Sequence, residues 1–342
     1  TRIRVHGGGV ESLTVAESFG IGVRVVRDGR EGFAHAGSFA DDVVAGLVDE
    51  ARDNARFAQP DERVGLAEPD GVVAVALDPW SDAVAHTPLD DKIAAAIEVE
   101  RLVKGFDRRI RGVRTAMYGD SRGEQAVVST SGIEAADRAT SASLSVTALI
   151  DDVDGGSRTG SAVDAARHPG LLDPALVAEL AATRGLRLLG AEPPVTGRTT
   201  VVFEPRFAAT LLGIVAGMLS GERVAKGRTP FADRVGEAVA TGRLNLADDP
   251  TDPASLGASP YDGEGIATRP VPLVVAGELA GYLHDTRSAR SLGIASTGSA
   301  VRSVRGTPSP GHRSLQVRAG EGDLESLVAG VDDGLLVCSL QG

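Results

Sequence analysis

The chain has 342 residues, 42% of them hydrophobic, which suffices for two domains with buried cores and excludes a disordered chain. A formal net charge of −12 and an aromatic content of 4% argue against phosphate backbones and against stacking platforms for single-stranded nucleic acid. The one cysteine, Cys338, excludes an intrachain disulfide and a cysteine-rich zinc site, and suits a reducing cytoplasm.

Taken in order, residues 1–35 predict short strands, IRVHGGGVESLTV, GIGVRVV and GFAHA, with Asp28-Gly29 as a hairpin turn. Residues 38–58 predict a helix with Ser38 as N-cap and Val43, Val44, Leu47, Val48 and Ala51 on one face. Residues 60–88 are rich in Pro, Asp and Gly and read as a connecting segment. A helix opened by Pro88 follows, carrying Ile93, Ile97 and Leu102. Residues 109–118, 123–130 and 141–151 predict a meander turning at Gly119-Asp120 and at Gly132.

Asp173-Pro174 opens a third helix, and Pro193-Pro194 marks the domain boundary. Beyond it come a strand at 198–204 and an apolar helix at 206–220, predicted to be buried on nearly every face. After a polar loop region at 226–265, Val271–Val275 and Glu278–Leu283 predict a hairpin around Ala276-Gly277. Short elements follow at 285–292, 313–318, 323–329 and 334–340, Cys338 being expected as a buried thiol. No run of about 18 apolar residues predicts a membrane span, and no signal peptide starts the chain.

The expected fold is α+β in two domains, residues 1–194 and 195–342, with a linker near 60–88. It has mixed, largely antiparallel curved sheets with flanking helices, and a β-rich, barrel-like C-terminal half.

Several local patterns point to chemistry. Asp262-Gly263-Glu264-Gly265 places two carboxylates on a turn, as a metal or ammonium site or as a structural turn whose carboxylates cap backbone. His284-Asp285 suggests a general base, or Asp285 as the N-cap of the next helix. Ser296, Thr297 and Gly298 with Arg302 could hold a peptide carboxylate, or pack as a loop. His6-Gly7-Gly8-Gly9 has no Gly-x-Ser-x-Gly partner and reads as a strand–turn–strand. Asp151–Gly155 lacks the ligands of a calcium loop. Gly20-x-Gly22 lacks the third glycine of a dinucleotide site, so no nucleotide cofactor is expected.

Three separated stretches together resemble one family. They are Glu17-Ser18-Phe19-Gly20-Ile21-Gly22-Val23-Arg24-Val25 with Gly29-Arg30 and Gly32-Phe33-Ala34; Tyr261-Asp262-Gly263-Glu264-Gly265 with Thr268; and Gly277-Glu278-Leu279 with Tyr282-Leu283, Asp285, Ala289, Leu292-Gly293, Ser296-Thr297-Gly298, Ala300 and Arg302. In this order they resemble the TldD/PmbA family, also labelled modulators of DNA gyrase, a label that fits an acidic chain poorly. The catalytic type carries His-Glu-x-x-x-His on the apolar helix. The resemblance sets Gly213, Ile214, Val215, Ala216, Gly217 and Met218 there, so the zinc-site positions Gly213, Ile214, Gly217 and Met218 are degenerate. The continuation from Leu219 to Phe231 looks like the partner type, TldE or PmbA.

The resemblance implies a non-catalytic subunit of a cytoplasmic zinc metallopeptidase that processes unfolded peptides. No cofactor is expected in this chain, with zinc held by a TldD-type partner. Asp262, Glu264, Tyr282, Ser296, Thr297 and Arg302 are then the residues expected to border the peptide cavity. Extended peptides could also add to an exposed sheet edge. Alternatives are a homo-oligomeric peptide-binding scaffold and a relative recruited to tailor peptides or amides in secondary metabolism. Family members extend further at both ends, so this chain is expected to be incomplete at its C-terminus.

Overall fold

A computed structural model describes residues 1–152 and 155–339. In chain order the elements begin β1 (Arg2–His6), β2 (Gly9–Thr14), β3 (Ile21–Arg27), β4 (Arg30–Ala36), α1 (Asp41–Phe57), α2 (Ala83–His86) and α3 (Leu89–Phe106). There follow β5 (Ile110–Val128), β6 (Glu134–Asp151), β7 (Ser157–Ala166), α4 (Pro174–Leu186), β8 (Thr200–Phe203), α5 (Pro205–Met218) and α6 (Gly221–Ala225). The last are β9 (Leu246–Asp248), β10 (Val271–Val275), β11 (Glu278–Leu279), α7 (Thr286–Leu292), β12 (Ala300–Val301), β13 (Ser309–Pro310), β14 (Leu315–Val317), α8 (Leu324–Ala329) and β15 (Gly334–Val337). The fold is α+β; β1 pairs antiparallel with β2 and β5, β3 with β4, β6 with β7, β9 with β10 and β14, β10 with β11, and β12 with β13, while β8 pairs parallel with β15.

The chain forms two compact units, each discontinuous in sequence. The first comprises Thr1–Glu17, Asp78–Gln125 and Arg138–Val195. The second comprises Ser18–Leu77, Ala126–Asp137 and Thr196–Gly342. Residues 18–77 thus group with the C-terminal segment.

In the first unit a five-stranded sheet runs β2-β1-β5-β6-β7. Along β6, Thr140, Ala142, Leu144, Val146, Ala148 and Ile150 are all buried, the period of two that a one-sided sheet requires. They share a core with Val99 and Val103 of α3 and Val177 and Ala181 of α4. Burial of each large aliphatic side chain contributes about 1.5–3 kcal/mol. Helix α4 lies directly on β7, because a Cβ at Gly160 would stand 2.1 Å from the Ala181 carbonyl oxygen. Glu100 of α3 is buried, and its carboxylate accepts the N–H groups of Gly7 and Gly8 at 2.8 and 2.9 Å. The glycines of the first hairpin are therefore a turn tied to a helix, as their strand–turn–strand reading requires.

Two expectations here need correction. Gly119-Asp120 is not a turn: β5 runs through it, Gly119 pairs with Arg2, and Asp120 is neutralised by Lys92 at 2.5 Å. Strand β7 went unpredicted, since its Ser, Arg, Thr and Gly residues carry little apolar alternation and its register is supplied by β6. The Asp151–Gly155 stretch includes Val153 and Asp154, which lie outside the described residues.

In the second unit β3 and β4 form a hairpin on which α1 packs. Its turn residues Asp28 and Gly29 have φ of 51° and 69°, the left-handed pair of a type I′ turn. Ser38 is not the N-cap of α1. Ala40 takes that place without a side-chain bond, and Asp41 and Asp42 provide the favourable charge in the first turn. A four-stranded sheet runs β11-β10-β9-β14, with two-stranded pairs β12-β13 and β8-β15. Among the described residues no sheet closes into a barrel.

Helix α5 departs from its expected complete burial. Phe207 and Ala216 are buried, but Ile214 is 54% exposed. An apolar sequence without periodicity does not select a face; packing did so, through Ala216 and the following Leu219 against β10 and β11. Cys338 is likewise exposed rather than buried, since the two-stranded β8-β15 pair leaves part of its surface open. Ile214→Asp should therefore alter stability by no more than about 1 kcal/mol, whereas Leu219→Asp, at 0% exposure, should prevent stable folding. Urea denaturation of the two variants checks this, and equal losses would contradict the exposure pattern.

Candidate functional site

The second unit gathers charged and polar side chains that are far apart in sequence. Asp262, Glu264, His284 and Asp285 are each at most 5% exposed. A carboxylate removed from water this completely needs donors, and each finds backbone N–H groups.

Asp262 organises its own turn. One oxygen accepts from the N–H of Glu264 at 2.8 Å and Ile266 at 3.0 Å, and the other from Ala300 N–H at 3.0 Å. The carboxylate thereby ties residues 262–266 to β12. Gly263 must lack a side chain, because a Cβ would stand 2.8 Å from that of Arg302. The Glu264 carboxylate accepts from Thr286 N–H at 2.8 Å, at the start of α7, and lies 3.7 Å from Arg24. Burial raises both Asp262 and Glu264 above the ordinary carboxylate range, and for Glu264 the neighbouring charges of Asp262 and Asp285 act in the same direction.

Asp285 caps α7: it accepts from Ser288 N–H at 2.8 Å, and the Ser288 hydroxyl returns to the Asp285 N–H at 3.2 Å. The capping reading of His284-Asp285 is the one observed. The His284 ring is buried beside Ser288 at 3.3 Å, and burial pushes its pKa down, so it is held neutral. At 2% exposure it is not positioned as a base for an incoming substrate.

Ser296 and Thr297 turn inward. Both hydroxyls lie 3.1 Å from the His284 carbonyl oxygen, and the Thr297 hydroxyl also accepts from His284 N–H at 2.8 Å. Tyr282 donates its hydroxyl to the Phe231 carbonyl at 2.6 Å and meets the His284 ring edge-on. Arg302 alone of the six expected cavity residues is half-buried with no hydrogen bond and no ion pair among the described residues. Arg24, Glu264 and Glu31 are its charged neighbours, and burial lowers its pKa.

Sequence reasoning missed Arg24, Glu31 and Arg287. Arg24 bonds Glu31 and donates to the Gly65 carbonyl at 3.1 Å. Arg287 pairs with Asp61 at 2.6 Å, and Arg290 donates to the Leu66 carbonyl at 2.9 Å. These arginines hold residues 61–66, expected as a connecting segment, in an ordered path. One signal was available: the Asp28-Gly29 turn fixes a register that makes Arg24 and Glu31 diagonal neighbours on one face.

A hydrolytic zinc needs imidazole and carboxylate ligands, and the residues of α5 from Gly213 to Met218 supply neither. Among the described residues no three His, Cys, Asp or Glu side chains are grouped to hold a metal ion. What the site offers is a loop framework tied by buried hydrogen bonds, beside the Arg302 guanidinium, which is unengaged among the described residues.

Three family descriptions match the chain: PmbA/TldA metallopeptidase domain 1 at residues 1–55, the central domain at 82–189 and the C-terminal domain at 196–342. The chain is 25% identical to the metalloprotease PmbA of Escherichia coli O157:H7, over 98% of its own length and 72% of that protein's. It is 26% identical to a TldD metalloprotease homologue of Haemophilus influenzae, over 92% of its own length and 67% of that protein's. The crystal structure of TldE from Thermococcus kodakarensis superposes with a TM-score of 0.91 at 25% identity, covering 100% of this chain and 77% of the other.

Two outcomes test the framework. Asp262→Asn should lose about 1–3 kcal/mol, because an amide NH2 would face one of the three N–H groups and leave it unsatisfied. Urea denaturation at pH 7 measures it, and an unchanged midpoint would refute the donor count. For Glu264 the raised folded-state pKa means that the folded chain retains a proton the unfolded chain has released. Its stabilising contribution is therefore full below about pH 4 and is lost as pH rises through the folded value. The stability of Glu264→Gln relative to native should rise as pH increases above about 4.5. A relative stability that falls over that range would show that the carboxylate form is the one the fold favours.

Proposed function

Since the chain belongs to the PmbA/TldD metallopeptidase family, we propose that it is a non-catalytic, TldE/PmbA-type subunit of a zinc metallopeptidase that processes unfolded peptides. The observation that carries this reading is the absence of zinc ligands from α5, where the resemblance sets the metal motif. Zinc then belongs to a TldD-type partner. The half-open apolar face of α5 and the ordered loops around Arg302 suit a chain that builds walls and holds substrate rather than cleaving it.

The remaining features agree. No described helix is long and apolar enough to cross a membrane. A single cysteine and an acidic balance suit a cytoplasmic protein that works on peptides rather than nucleic acid. Asp262 and Glu264 serve the cavity indirectly, by fixing the loop from which Arg302 projects. A homo-oligomeric scaffold is the competing reading, and a different oligomer distinguishes it.

The test is reconstitution with a TldD-type chain carrying His-Glu-x-x-x-His. The two should co-elute as a hetero-oligomer, cleave an unstructured peptide and lose cleavage on chelation, while the isolated chain should contain no stoichiometric zinc by elemental analysis. Zinc at one per subunit in the isolated chain, with chelator-sensitive cleavage, would overturn the non-catalytic role. A chain that stays monomeric alone and with the partner would overturn the subunit role.

A further inference from the structure

The hydrogen-bonding state of the cluster in the second unit defines what kind of ligand it can take. Its carboxylates are engaged. Asp262 accepts three N–H groups, Glu264 accepts Thr286 N–H, Asp285 accepts Ser288 N–H, and Glu31 is bonded by Arg24. The hydroxyls of Ser296 and Thr297 and the carbonyl of His284 satisfy one another. Arg302 stands apart, half-buried with a guanidinium that has no hydrogen bond and no ion pair among the described residues. A surplus of donors beside satisfied acceptors selects a ligand that accepts.

Charge narrows the class. Arg24 and Arg302 are balanced by Glu31 and Glu264, so a phosphate dianion would meet two nearby carboxylates. A monoanion with two coplanar oxygens matches the guanidinium fork and adds a single charge. The backbone under Arg302 is fixed: its Cβ packs over Gly263, and the adjoining strand β12 is tied to Asp262. The base of the side chain is therefore held in place, while the guanidinium, bonded to nothing among the described residues, is left to engage a ligand.

We infer that Arg302 is a carboxylate-docking residue that anchors an extended peptide by one of its acid groups. This rests on the peptide-holding role proposed above and adds to it a named contact and a ligand class. The carboxylate has two sources, the peptide's C-terminus and an acidic side chain, and the measurement separates them.

The experiment titrates an N-terminally labelled unstructured peptide against the chain, alone and with the zinc-bearing partner, followed by fluorescence anisotropy. The peptide is supplied as the free acid, as the C-terminal amide, and as the amide with one internal Glu. The free acid should bind on the order of tenfold tighter than the plain amide, with Arg302→Gln removing the difference and Arg302→Lys retaining part of it. If the amide with internal Glu binds tightly and the free acid binds no better than the plain amide, the carboxylate comes from a side chain; if both bind tightly, either source serves. Arg302→Gln should also unfold at the native urea midpoint, because no internal bond is lost; a large drop would mark Arg302 as structural and overturn the inference. Equal binding of all three peptides, or a preference that survives in Arg302→Gln, would overturn it too while leaving peptide holding intact. Failure of every peptide to bind, with and without the partner, would remove both.

Discussion

The second unit depends on one constraint: a carboxylate that leaves water must be met by N–H donors. Asp262 meets it with three backbone amides, two within its own turn and one from β12. Glu264 meets it at the first residue of α7, and Asp285 does so again three residues into the same helix. The bonds to Ala300 and Thr286 fix the loop to elements remote in sequence, and the others close a local turn and a helix cap. The 261–266 loop is held by its buried carboxylates together with the packing of Tyr261 and Ile266 against Ile133 and Ala135, and the raised pKa values of Asp262 and Glu264 record the cost of burying them.

The same constraint limits the chemistry open to the cluster. General-base work needs an accessible group with an uncommitted lone pair, and metal binding needs several. Asp262 has given both oxygens to backbone N–H groups, Glu264 and Asp285 have each given one, and all three are buried, as is the neutral His284. Glycine makes the close approach possible: at Gly22 a Cβ would stand 2.7 Å from the Val304 carbonyl oxygen, so the stretch after β12 can lie against β3. The Gly20-x-Gly22 pattern is thus a packing device, in keeping with its missing third glycine. Beside the cluster, Arg302 is half-buried with its guanidinium unengaged among the described residues.

Helix α5 stands in a similar relation to function. Its sequence is apolar throughout, yet one face is open at Ile214 and a Cβ at Gly213 or Gly217 would meet nothing within 4 Å. The fold of this helix is specified by packing positions such as Ala216 and Leu219 and not by the six positions of the metal motif as a set, so family membership does not require metal ligands there.

The sequence by itself determined the family, the α+β class, the Asp28-Gly29 and Ala276-Gly277 hairpins, the Asp285 cap and the lack of zinc ligands on α5. These are local signals: turn glycines, caps and ligand types act within a few residues. Tertiary structure alone decided that β5 continues through Gly119, that β7 exists, which face of α5 is open, and that Ser296 and Thr297 point inward while Arg302 does not. It also decided that residues 18–77 pack with the C-terminal segment, bringing Arg24 and Glu31 to Glu264. None of this has a local cause. Side-chain orientation and strand continuity depend on which partner arrives from elsewhere in the chain, and the pairing of a buried charge with its donor is settled only when the whole fold has closed around it.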